Sequence, residues 1–130
     1  MGHMNSEHWN KVMRLFTYMI LVDGRVFEEE VVCFADMVDY LSRRLPIADR
    51  VSRAEAKRWF EQNRASLDRA LKHRDTETLI WDSIFDVESF PNKQDLLTVM
   101  RQIAHVDGYF HNSEREFVRR AKAHWKLETA

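Results

Sequence analysis

Apolar residues recur along this chain at intervals of three and four, the spacing of one face of a helix. Trp9, Val12, Met13, Phe16, Met19 and Ile20 set the first such face and predict a helix over residues 7–22. Leu15, Tyr18 and Val22 widen it beyond an ordinary amphipathic stripe. A helix of that width either runs through the centre of the core or also meets another chain. Val31, Phe34, Val38 and Leu41, extended by Ala35 and Leu45, predict a second helix over residues 28–44, closed by Pro46. Glu28, Glu29 and Glu30 open it, where carboxylates meet the positive end of the helix dipole, and Arg43 and Arg44 suit the other end.

Ser52-Arg53-Ala54-Glu55 has the form of a capping box, in which a serine and a glutamate three residues on each accept an N–H of the first turn. It opens a third helix carrying Ala56, Trp59, Phe60, Leu67, Ala70 and Leu71 to about His73, with a break expected near Asn63. Asp75 caps a fourth, with Leu79, Ile80, Ile84, Phe85 and Val87 expected inward. Ser89-Phe90-Pro91-Asn92 reads as a turn. A fifth helix over residues 92–106 uses Leu96, Leu97, Val99, Met100 and Ile103, and a sixth covers residues 112–125. No stretch sustains the period-two alternation of a half-buried strand. The expected fold is all-α, a single-domain bundle of about six to seven helices.

Two stretches of this pattern repeat one another. LVDGRVFEEEVVCFADM (21–37) and HVDGYFHNSEREFVRRA (105–121) pair Asp23 with Asp107, Gly24 with Gly108, Glu30 with Glu114 and Phe34 with Val118. Each is an apolar helix ending at Asp-Gly, a short corner, and a second helix with Glu in its first turn. The reading is two duplicated helix–Asp-Gly–helix hairpins. Glycine at such a corner ends a helix in the left-handed conformation without penalty.

Composition narrows the setting. With 130 residues, 45% hydrophobic and 32% charged, the chain is large enough for one domain with its own core, taken as residues 5–130. Met1-Gly2-His3-Met4 looks like a cloning scar. A single cysteine, Cys33, excludes an intramolecular disulfide and a Cys-rich zinc module. Flanked by Val31, Val32, Phe34 and Ala35, it is expected to be a buried small hydrophobe. The most apolar run, residues 15–22, is much shorter than the ~20 residues of a membrane helix, and no signal pattern precedes it. A cytoplasmic protein without membrane insertion is the expectation.

The formal net charge of −1 hides an uneven spread. Residues 43–74 hold ten Lys and Arg against four Asp and Glu; residues 75–99 hold six acids against Lys93 alone. Such a dipolar surface bears on the choice of a protein partner. Trp59 and Phe60 lie in the basic stretch, but at core spacing and among acids, so a solvated or protein-docking face fits better than nucleic acid.

Asp23 and Asp107 stand at helix C-termini, where the dipole disfavours an acid by ~0.3–1 kcal/mol. Two explanations compete. In one, each carboxylate closes an Asx-turn on its own corner. Glu30 and Glu114 then stand at N3 and reach back to the backbone of Phe27 and His111, a half-formed box where Phe27 is the cap. If Asn112 is the cap instead, Glu114 falls one position early. In the other, Asp23, Glu30, Asp107 and Glu114 hold a divalent cation, Ca²⁺ or Mg²⁺ for an all-oxygen set. The spacing is not that of an EF-hand. His111, with His105, would add nitrogen and move the preference towards Zn²⁺. His73 and His124 stand alone and read as solvated surface groups. No Gly-rich phosphate loop or nucleophile–base set stands out, so no catalytic residue is assigned and no enzyme is expected.

The run Ile103-Ala104-His105-Val106-Asp107-Gly108, then Glu114 and an apolar helix ending Trp125-Lys126-Leu127, resembles the TerB family of tellurite-resistance-associated proteins. It is also similar to the TerB-like domain that accompanies a J domain in a membrane-anchored co-chaperone. The first copy, residues 20–34, matches the same pattern less fully, and the likeness extends from about Val12 to Leu127. The resemblance implies an all-α, internally duplicated fold, no enzymatic activity, a link to tellurite, chemical or phage stress, and metal binding at Asp23, Glu30, Asp107 and Glu114. The chain departs from the family at Phe27 and His111, where a small polar residue is usual. It has no His-Pro-Asp tripeptide, hence no J domain within this sequence. The alternative is a purely structural adaptor or chaperone-accessory domain, without metal, that makes its contact through the wide first helix.

Overall fold

The computed structural model describes residues 3–22, 24, 26–44, 50–73, 75–106 and 112–127. Six helices and no strand occur among them: α1 (His3–Leu21), α2 (Glu28–Arg44), α3 (Arg53–His73), α4 (Thr76–Asp86), α5 (Lys93–His105) and α6 (Asn112–His124). The all-α bundle expected from the apolar spacing is the observed fold. Leu45 and Pro46, assigned to the end of the second helix, lie outside the described residues.

The width of the first apolar face has a plain cause. Residues 15–21 of α1 are all buried, and α1 packs against each of the other five helices. It is the central helix, and the apolar side chains of residues 15–21 are used inside the chain. The one polar residue in that stretch, Thr17, donates its hydroxyl proton to the Met13 carbonyl at 2.8 Å, so its burial leaves no proton unmet.

Around α1 the helices start where side chains satisfy free N–H groups. The Ser52–Glu55 box closes both ways, Ser52 N–H to Glu55 Oε1 at 2.9 Å and Glu55 N–H to Ser52 Oγ at 3.1 Å. Asp75 accepts from Glu77 N–H at 3.1 Å, and Asn92 from Gln94 N–H at 3.1 Å. The break expected near Asn63 is absent: α3 runs unbroken to His73, and Asn63 donates its side-chain N–H to the Trp59 carbonyl at 2.8 Å. That bond satisfies the amide within the helix. Residues 15–21 of α1, with Phe34, Phe60, Leu96, Ile103 and Phe117, belong to or adjoin one continuous core.

Phe85 corrects another expectation. Ile80, Ile84 and Val87 turn inward with Leu79, but Phe85 lies further round α4 and is 50% exposed. No helix among the described residues is long and apolar enough to cross a membrane.

Candidate functional site

At the first corner α1 stops at Leu21, and Gly24 adopts φ +82° with its N–H bonded to the Leu21 carbonyl at 3.0 Å. Phe27 then serves as the cap of α2: its carbonyl accepts from Glu30 N–H at 3.0 Å and from Val31 N–H at 3.3 Å. Its own N–H donates to Glu30 Oε1 at 3.2 Å, the half-formed box expected when a phenylalanine stands at the cap.

Glu30 is fully buried. Glu114, paired with it in the sequence alignment, is the third residue of α6, as Glu30 is of α2, and is also fully buried. Because α6 begins at Asn112, that asparagine lies inside the helix and Glu114 falls at N3. Asp23, Asp107, Gly108 and His111 lie outside the described residues, so of the four candidate carboxylates the two glutamates have a described place, and His105 is the exposed last residue of α5. Among the described residues no three His, Cys, Asp or Glu side chains group so as to hold a metal ion.

Two clefts flank the first corner. One, of about 480 Å³, separates Leu21, Gly24 and Val26 from Arg64, Asp68 and Lys72 of α3. The other, of about 360 Å³, is lined by Val22, Ile80, Asn112, Ser113, Glu116 and Arg120. The residue after α1 and the first turn of α6 therefore share a cleft. A third, of about 280 Å³, lies between α2 and α5 beside Tyr40, Leu41, Asp95 and Thr98. Among the described residues, no cysteine or histidine lines these three clefts.

Cys33 is half-buried against the core rather than fully enclosed. Burial raises its thiol above the ordinary value, and the carboxylates of Asp36 and Glu30 add to the shift by opposing a second negative charge. Such a thiol stays protonated and is a poor nucleophile.

One cluster was not anticipated. His124 does not stand alone: its Nε2 lies 3.0 Å from Glu88 Oε1, and its ring meets Phe85 edge-on with centroids 4.3 Å apart. Trp81 lies 6.2 Å from both of those rings. The i,i+4 pair Trp81 and Phe85, on one side of a helix, was a readable signal. His124 comes from 36 residues beyond Glu88, which no local pattern reveals.

Comparison of the chain with protein-family models, with curated proteins and with solved structures finds no match.

Proposed function

We propose that this chain is a TerB-like, non-catalytic helical module that acts through protein contacts in a response to tellurite or related stress. In this reading the α1–α2 and α5–α6 pairs are two copies of one helix–Asp-Gly–helix hairpin. The observation that supports it is the matched burial of Glu30 and Glu114, each the third residue of its helix. Glu55 fills the same capping role from an exposed position. Burying a carboxylate is costly, and helix N-terminal dipoles with backbone N–H groups offset part of that cost. A divalent cation shared by Asp23, Glu30, Asp107 and Glu114 would offset more, with Ca²⁺ or Mg²⁺ suited to the oxygen set and Zn²⁺ favoured only if His111 joins.

A second reading has its own observation. The Phe27 N–H to Glu30 bond already explains that carboxylate as a cap, in a structural adaptor or chaperone-accessory domain without metal. Titration of the chain with Ca²⁺, Mg²⁺, Mn²⁺ and Zn²⁺ decides between them. A bound ion gives saturable amide shifts around Glu30 and Glu114, a higher melting temperature, and loss of both in Asp107→Asn. A flat response with every ion leaves the corners as caps and removes the metal.

A further inference from the structure

From the cluster on α4 and α6 we infer a docking surface for a cationic, arginine-bearing segment of a partner protein, deepening the reading of the chain as an interaction module. Phe85 is half exposed, and the partly buried rings of Trp81 and His124 adjoin it. Single exposed apolar residues are ordinary; joined rings from two helices are not. The surface is also held in place. Trp81 and Phe85 stand one turn apart on α4, and the His124–Glu88 contact ties the end of α6 to the turn after α4. Little ordering remains to be done on binding.

Charge selects the partner. Residues 75–92 contain Asp75, Glu77, Asp82, Asp86 and Glu88 and no lysine or arginine. Glu77 is engaged by Arg120 at 2.9 Å and Asp86 by Arg14 at 3.6 Å. Asp82, exposed and one residue beyond Trp81, has no salt bridge among the described residues, and Glu88 meets only a histidine there. An aromatic surface beside the Asp82 carboxylate attracts a guanidinium twice, through the ring quadrupole and through a charge-assisted hydrogen bond. The same carboxylates repel phosphates, so nucleic acid and anionic lipid are the wrong chemistry for this face. Arginine fits better than lysine because its planar head can lie on a ring while its edge reaches a carboxylate.

The test uses the whole chain and a capped synthetic helix of arginine, leucine and alanine, with versions carrying lysine or glutamate in place of arginine. Amide and indole NMR signals are followed during titration. The expected result is saturable shifts confined to Trp81, Asp82, Phe85, Glu88, His124 and their neighbours. Affinity should fall about tenfold in Phe85→Ala, the size of a partly desolvated arginine–aromatic contact. Asp82→Asn should weaken binding and flatten its salt dependence. Binding of the lysine peptide should be weaker, and the glutamate peptide should not bind. No saturable shifts, shifts centred on another face, equal affinity for arginine and lysine, or an unchanged affinity in Phe85→Ala would each overturn the surface. Such a failure leaves the corner reading intact, because that stands or falls on the ion titration at Glu30 and Glu114.

Discussion

Two residues with positive φ make opposite predictions. Gly24, at φ +82°, has nothing within 4 Å of the place where a Cβ would sit, so Gly24→Ala tests backbone strain alone. The left-handed penalty of ~1–2 kcal/mol exceeds the entropy gained in the unfolded chain, and a net destabilisation of about 1 kcal/mol is expected in urea unfolding. Lys126 is the mirror case, at φ +56°. Its N–H bonds the Ala123 carbonyl at 3.2 Å while Leu127 N–H reaches the Lys122 carbonyl at 3.1 Å, a Schellman ending for α6. Lys126→Gly should stabilise by about 0.5–1 kcal/mol, and a loss of stability would refute this account. The glycine corner was legible because glycine at a helix end carries its own signal. Lysine carries none, and this ending follows from Leu127 packing against the core. Cys33 adds a pH effect. Its folded-state value is raised, so the folded protein holds the thiol proton more tightly than the unfolded chain. That contribution is whole below the ordinary thiol range and is lost as pH rises through the folded value. Urea midpoints should therefore fall between pH 7 and 10 more steeply in the native chain than in Cys33→Ala.

At the scale of elements, α2 and α3 are joined by a polar tie that the sequence pattern half concealed. Ser42 Oγ donates to the Asp39 carbonyl at 2.9 Å and accepts from Val51 N–H at 3.2 Å. Asp39 in turn accepts from Arg53 N–H at 3.1 Å, and Arg53 reaches Asp36 at 2.9 Å. Removing a buried acceptor costs ~1–3 kcal/mol, whereas removing an exposed cap costs about 1 kcal/mol. Ser42→Ala should therefore destabilise more than Ser52→Ala in parallel denaturant melts; the reverse order would mean that Val51 N–H finds water instead. Ser52 was readable because its partner stands three residues on, within one turn. Ser42 was not, because Val51 is nine residues away across the connection, a distance fixed by packing and not by periodicity. The same limit applies to the candidate site. Glu30 at a helix start was legible, but its complete burial depends on helices that no local spacing places.

For the whole molecule, the breadth of the first apolar face was the informative feature, although breadth alone served a central helix and a contact surface equally. Packing accounts for it with a central helix: α1 meets each of the other five described helices. Phe34 of α2 meets Phe16 of α1 edge-on at 6.4 Å and Phe60 of α3 at 5.5 Å, so one ring couples three helices. All three rings are fully buried. Truncating a buried phenylalanine costs about 3–5 kcal/mol through lost burial and the cavity left behind, out of a total stability of roughly 5–15 kcal/mol. Phe34→Ala should lower the melting temperature by about ten degrees or more, while Phe85→Ala, on a half-exposed ring of α4, should shift it by only a few degrees. The comparison separates two uses of an aromatic side chain in one fold. Phe34 holds helices together, and Phe85 lies where a partner can cover it. Thermal melts of both variants beside the native chain test the division. Equal losses would make Phe85 a structural residue and withdraw the reason for leaving its ring exposed to a partner.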